Sequence, residues 1–381
     1  MLLAKRCILN CIRSNRGVRG MKKRNHTPTQ GLFKSTPTYI IAIIVLLALI
    51  ILSLLAAVTI GSVRIPIQDV YHVLLYKLFG IGDAAAWGSG SVHDVVWFIR
   101  LPRLILALGV GMGLAICGVV MQAIVKNPLA DPYILGVSSG ASLGATLAIL
   151  LGVGVALGSN YVGIVAFLGA FGISVAVVIL ANIGGKANSV KLLLAGMALS
   201  AVCSAFSNFI VYFANDKEGI QTITYWLMGS LAGASWENIS FILPITFFGT
   251  FFFLTQFRTL NLMLLGDDVS VTLGTDLHRW RQVYLLVSSL MIGFIVYSSG
   301  MIGFVGLIIP HVVRMLFGTD HKKLVPLCAL TGALFLIWAD VLCRVIIQGM
   351  ELPIGILTSM IGAPCFIWLM VRRRYGFGGG D

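Results

Sequence analysis

The stretch Phe98-Ile99-Arg100-Leu101-Pro102-Arg103-Leu104-Ile105-Leu106-Ala107-Leu108-Gly109-Val110-Gly111-Met112-Gly113-Leu114-Ala115-Ile116-Cys117-Gly118-Val119-Val120-Met121-Gln122 decides the fold class. After Arg103 it meets no charge until Lys126 and shows no period-2 alternation of polar and apolar residues. A hydrocarbon layer about 30 Å thick is crossed by about 20 helical residues at 1.5 Å each, so such a run reads as a transmembrane helix and not as a barrel strand. Working outward, similar runs lie at roughly 38–60, 133–153, 161–182, 190–214, 237–257, 280–299, 302–317, 324–344 and 354–371. With 98–122 they make ten expected spans, the run at 302–317 being short.

Composition agrees. The 381 residues are 58% hydrophobic and 11% charged, whereas soluble chains carry about 25% charged residues. A soluble enzyme, a nucleic-acid binder and a disordered scaffold are thereby excluded, and the expected class is an all-α polytopic membrane protein. The seven cysteines form no C-x-x-C pair and five lie in apolar runs, so they read as small buried hydrophobes and not as metal ligands. Glycine is abundant and recurs in small-x-x-small patterns, Gly109-x-Gly111-x-Gly113, Gly136-x-x-x-Gly140-x-x-x-Gly144 and Gly169-x-x-Gly172. In lipid these let helix backbones approach closely, and none follows a strand as a dinucleotide fingerprint must.

Charge sets the orientation. Residues 1–37 form a basic tail with nine Lys and Arg, in which Met21-Lys22-Lys23-Arg24 reads as an alternative start that leaves 1–20 untranslated. With this tail inside and ten spans, 21 of the 27 Lys and Arg collect on the cytoplasmic side, including those of the tail 372–381. Arg64, Lys77, Arg100, Arg103, Lys217 and Arg344 fall outside. The positive-inside rule favours this arrangement, with both termini cytoplasmic.

Two longer connections remain, an outer one at 61–97 and an inner one at 258–279. The inner segment reads as two short helices broken at Gly266 and Gly274, with Asp267 as an N-cap. Its Leu and Val residues pack either on the chain's own helix ends or on a partner. Away from their extreme ends, the spans hold few ionisable residues: His311, Arg314 and Asp340. His311 follows Pro310 and either caps a helix break or serves transport, while Asp340 bonds a neighbouring helix or pairs with Arg344 at i,i+4. No carboxylate relay for an ion gradient is readable. No phosphate-binding loop is present either, since Gly185-Lys186 is followed by Ala187. A chain of this kind that transports actively needs a separate nucleotide-hydrolysing subunit, for which 258–279 is the docking surface.

Longer motifs carry a resemblance. Arg100-Leu101-Pro102-Arg103 is followed by Asn127-Pro128-Leu129-Ala130-Asp131-Pro132-Tyr133-Ile134-Leu135-Gly136-Val137-Ser138-Ser139-Gly140, then Tyr225-Trp226-Leu227-Met228-Gly229, Gly303-Phe304-Val305-Gly306-Leu307-Ile308-Ile309-Pro310-His311 and Glu351-Leu352-Pro353-Ile354-Gly355. Together these resemble the FecCD family, permeases of type II ATP-binding-cassette importers for iron chelates, haem and cobalamin, over residues 38–371. The resemblance implies ten helices per subunit, a second permease subunit (a copy or a different chain), two ATP-binding subunits that hold ATP and magnesium, and an extracytoplasmic substrate-binding protein. It implies a bacterial or archaeal plasma membrane, and no cofactor, metal or nucleic acid on this chain.

By the same resemblance, Arg100, Arg103 and Arg344 would dock carboxylates of the binding protein, the alternative being that Arg100 and Arg103 snorkel to outer headgroups. Within 258–279, Leu265, Gly266, Asp267, Leu273, Gly274 and Thr275 would form coupling helices against the ATPase. Ser189 and Val190 would form a cytoplasmic gate, and Asn127, Pro128, Asp131, Pro132, Pro310 and His311 would be structural motif positions. Asn188 and Val190 depart from the small hydroxyl residues common there. The expected function is a permease that moves an iron(III) chelate, a siderophore complex or haem, by alternating access, through a vestibule rich in Met, Ser and Gly. Cobalamin is the alternative cargo, and an ion-gradient-driven secondary transporter the alternative class.

Overall fold

In a computed structural model of the chain, residues 36–372 are described apart from 62, 64, 184 and 348. The tail 1–35 with the start at Met21, Arg64, and the terminal 373–381 lie outside the described residues. All regular structure among the described residues is helical. The principal helices are α1 Thr36–Thr59, α2 Ile67–Phe79, α3 Leu101–Val125, α4 Val137–Leu151, α5 Tyr161–Asn182, α6 Ser189–Phe213 and α7 Lys217–Met228. They continue with α8 Trp236–Thr255, α9 Phe257–Leu265, α10 Asp267–Thr272, α11 Leu277–Ser299, α12 Val305–Phe317, α13 His321–Val345 and α14 Ile354–Arg372.

Each of the ten apolar runs becomes a helix, but they are not equal in length. Seven are long and apolar enough to cross a membrane: Pro37–Thr59, Ser91–Val125, Tyr161–Asn182, Ser189–Phe213, Trp236–Thr255, Leu277–Ser299 and His321–Val345. Val137–Leu151, Val305–Phe317 and Ile354–Trp368 are apolar and shorter, reaching about 20 to 23 Å at 1.5 Å per residue. The run expected at 133–153 is shortened because residues 127–136 turn before α4 begins, and the run at 302–317 because α12 starts only after Phe304, whose φ is +68°. The second span is longer than expected: one turn of π-helix, Val95–Arg100, joins it to residues 91–94.

Helix α3 is the axis of the bundle, buried along 83% of its most apolar stretch, against 17% for α1 and α6. Its glycines explain how. A Cβ on Gly111 would strike the Gly332 carbonyl of α13, and one on Gly118 the Gly306 backbone of α12. Gly140 of α4 and Gly169 of α5 meet in the same way. Backbones touch where only hydrogen stands on Cα, as small-residue helix interfaces in lipid require. Gly172, by contrast, faces open space.

Helix α7 lies between the apolar runs 190–214 and 237–257 and belongs to neither. Its start signal is local: Asp216 Oδ1 accepts the Gly219 amide at 3.0 Å, an N-cap with Glu218 in the first turn.

Candidate functional site

Two polar clusters sit at opposite ends of α3. At the end where α3 begins, Arg103 Nε donates to Asp340 Oδ1 at 2.7 Å and its Nη1 to Glu351 Oε2 at 2.7 Å. Arg344 Nε lies 3.2 Å from Asp340 Oδ2, the expected i,i+4 pair, and its Nη1 donates to the Ile60 carbonyl at 3.2 Å. Arg100 Nη1 donates to the carbonyls of Val58 and Thr59 at 3.1 Å, and its Nη2 to that of Val63. A helix leaves its last carbonyls without intrahelical partners. Here two guanidiniums satisfy those at the end of α1 and oppose the negative end of its dipole.

Arg100, Arg103 and Arg344 are therefore brought together, but not as open forks. All three are buried at 3–5% exposure with partners from their own chain, and none snorkels outward. The cluster's outward face is Glu351, whose side chain is 44% exposed. Sequence reasoning quoted Glu351 inside a motif without giving it a role, because its partner stands 248 positions away.

At the other end, α9 and α10 break where expected, at Gly266 (φ +103°) and Gly274 (φ +78°), a backbone region that side chains other than glycine rarely adopt. The N-cap position of α10 belongs to Gly266 and not to Asp267. Asp267 enters the helix and turns its carboxylate inward, accepting from Arg281 Nη1 at 3.0 Å, from Arg281 Nη2, and from Lys126 Nζ at 3.2 Å. The Arg281 hydrogen bonds, with Lys126 beside them, hold the Asp267 carboxyl below the usual carboxylate range. Leu260 and Met263 are buried, whereas Leu265, Val271 and Leu273 are 60–68% exposed. The segment thus presents an apolar outer face while the next turns anchor it; Thr275 holds it closed by donating its amide to the Ser270 carbonyl at 2.9 Å.

The Asn127–Pro132 motif is a pair of tandem turns. Asn127 Oδ1 accepts the Leu129 amide and Asp131 Oδ1 the Tyr133 amide, both at 2.9 Å. Each Asx side chain bonds the backbone two residues on, across a proline whose φ is already set. Pro132 rests against Gly306 at the start of α12. Burial pushes the Asp131 carboxyl up to about 6, despite that hydrogen bond. Helix α12 runs through Pro310 and His311 without a break, so His311 caps nothing; it is buried and lines a crevice with Pro128 and Leu129. The Ser189 hydroxyl donates to the Ile124 carbonyl at 2.6 Å, Asn188 caps α6 by accepting the Lys191 amide at 2.8 Å, and Val190 is 63% exposed.

Between the two ends lies a cavity of about 510 Å³ bordered by Tyr133, Ser138, Met228, Met301, Ser359 and Met360. Its lining carries hydroxyls and thioethers and no charge, a surface suited to weak contact with a large ligand.

Over residues 46–372 the sequence matches the FecCD transport family. The chain is 38% identical over 336 residues to the hemin transport system permease protein HmuU of Yersinia pestis, covering 82% of this chain and 98% of that one. It is 39% identical over 289 residues to the vitamin B12 import system permease protein BtuC of Salmonella arizonae, covering 75% and 85%. An ABC transporter permease of Bacillus subtilis, YvrB, shows 38% identity over 326 residues, covering 85% and 91%. Among solved structures, an inward-facing ABC transporter assigned to the metal-chelate type superposes with a TM-score of 0.74 at 32% identity, covering 87% of this chain and 99% of that one. With the helix order, the glycine contacts and the match along nearly the whole described chain, this multi-pass membrane protein belongs to the FecCD transport family.

Proposed function

We propose that the chain is the membrane-spanning subunit of an ATP-driven importer that carries an iron(III) chelate, a siderophore complex or haem, inward by alternating access. The supporting observation is the α9–α10 segment: an apolar face too short to span, broken by two left-handed glycines and exposed at the end of the bundle. Such a face needs a partner. On a FecCD permease that partner is an ATP-binding subunit, which supplies ATP and magnesium and performs the hydrolysis. A second permease subunit completes the path, and a binding protein delivers the cargo at the Arg100–Arg103–Arg344 end. The count of cations supports a cytoplasmic location for α10 and both termini, and the membrane is the plasma membrane of a bacterial or archaeal cell. Cobalamin is the alternative cargo, since the haem and cobalamin permeases are related to this chain at similar identity.

The test is ATP hydrolysis by the chain co-expressed with its neighbouring ATP-binding subunit in nanodiscs. The complex is assayed with the cognate binding protein empty or loaded with ferric siderophore, haem or cobalamin. Stimulation by one loaded form supports the reading and names the cargo. Accumulation of substrate by the chain alone under a proton or sodium gradient overturns it.

A further inference from the structure

At the cytoplasmic end the side chains of several helices meet around one carboxylate. Asp267 opens α10, the second helix of the coupling segment. Through Lys126 Nζ, at 3.2 Å, it reaches the C-cap of α3. Lys126 has φ +57° there, and its amide is bonded back to the Gln122 carbonyl, so the end of α3 is closed and stiff. Two residues earlier, the Ile124 carbonyl accepts the hydroxyl of Ser189, the first residue of α6, at 2.6 Å. The second arm of Asp267 reaches the buried guanidinium of Arg281 in α11 at 3.0 Å. One turn before Arg281, His278 Nδ1 lies 3.2 Å from the Ala187 carbonyl. Its Nε2 lies 3.2 Å from the Gln282 amide nitrogen, which also donates to Asn182 Oδ1 at 3.0 Å. The imidazole thus stands between the Gln282 side chain and the Ala187 carbonyl, in the segment that leads into Ser189 and Val190.

We propose that Asp267 is a positioning residue that ties the coupling helix to both supports of the gate, through Lys126 to α3 and the Ser189 hydroxyl, and through Arg281 to α11 and the Ala187 carbonyl. This inference rests on the importer reading, which assigns Ser189 and Val190 to the gate and α10 to the ATPase. Charge-assisted hydrogen bonds suit the task because they are short and directional, and two arms from one carboxylate resist rotation where a single bond does not. The coupling helix then cannot move without carrying the ends of α3 and α11 with it. Coupling of two sites requires an element that both of them bias, and the side-chain bonds that join the helix ends here are each 3.2 Å or less, the steps from Lys126 to Ile124 and from Arg281 to His278 running along the helix backbone.

The test uses the full chain assembled with its ATP-binding subunit in nanodiscs and carrying V190C. The rate at which N-ethylmaleimide labels the V190C thiol is measured with and without ATP plus vanadate, after subtracting labelling of the protein without V190C. In the V190C protein, nucleotide trapping is expected to change the rate about fivefold or more, the scale of ordinary intersite coupling. Adding D267A should abolish that change in complexes that still hold the ATP-binding subunit, and D267E, which keeps the charge, should restore part of it. K126M, which cuts only the arm to α3, should reduce the response and decides the matter should D267A fail to assemble. An unchanged nucleotide response in assembled D267A, or in K126M where D267A does not assemble, overturns the linkage and leaves the importer reading intact. Failure of the V190C protein itself to bind any ATP-binding subunit overturns both.

Discussion

Arg103 and Asp340, 237 positions apart, are joined by a 2.7 Å hydrogen bond between two buried side chains, and Arg344 closes on the same carboxylate from the other side. Asp340 is fully buried between two guanidiniums. Removing one partner of a buried ion pair leaves an uncompensated charge and costs about 3–5 kcal/mol. D340A should therefore lower the thermal midpoint of the detergent-solubilised protein strongly, and D340N, which retains one acceptor oxygen, should lower it less. Size-exclusion profiles after heating read the difference; two variants as stable as the parent would show that the cluster does not hold the helices together.

Glu351 gives the same cluster its exposed face. It occupies Arg103 Nη1 at 2.7 Å while 44% exposed, so a carboxylate arriving from a binding protein would compete with it. E351Q weakens the internal competitor without removing its bulk. Affinity of the binding protein for the nanodisc-embedded complex should rise roughly threefold to tenfold, the equivalent of about 1 kcal/mol for one hydrogen bond. Unchanged affinity in E351Q, together with unchanged affinity in R100E and R103E, would place docking elsewhere.

Gly118 and Gly172 make a matched pair of tests. A methyl on Gly118 meets the Gly306 backbone, which has no rotamer with which to yield, whereas one on Gly172 meets open space. Overpacking typically costs about 1–3 kcal/mol, and relief from glycine inside a helix returns about 0.8–1.0 kcal/mol. G118A should lower the thermal midpoint and G172A should leave it level or raise it. Equal effects would mean that α3 and α12 are not in backbone contact.

The fold class was legible because apolarity over some twenty residues is a local property of sequence, and so were the breaks at Gly266 and Gly274. The shortness of α12 was legible as well, but that of α4 was not, since the tandem turns at Asn127 and Asp131 are set by side-chain bonds to the backbone. Asp340 with Arg344 could be read as an i,i+4 pair, but Arg103 and Glu351 join it only through helix packing. Lys126, Asp267 and Arg281 likewise stand 141 and 14 positions apart, and no spacing rule links them. An aspartate after a glycine reads as a cap; the buried Arg281 drew it inward instead. The α7 helix was missed for a different reason, being amphipathic and lying between spans, where only Asp216 and Glu218 announce it.

The two perturbed aspartates predict opposite responses to pH. The Asp267 carboxyl lies below its ordinary range, chiefly through Arg281. Its contribution is fully present above the unfolded value of about 3.9 and is lost as pH falls through the lower, folded value. The stability difference between the parent and D267N should therefore be constant from neutral pH down to mildly acid conditions and then vanish. Asp131, raised to about 6 by burial, works the other way: the folded state holds its proton while the unfolded chain has released it, so stability falls as pH rises from about 4 towards 6. D131N keeps an acceptor for the Tyr133 amide and has no proton to lose, so it should be at least as stable as the parent at pH 7, with its advantage disappearing below pH 4. Thermal midpoints across this range measure both, and a D131N advantage that grows as pH falls would reverse the sign assigned to that site.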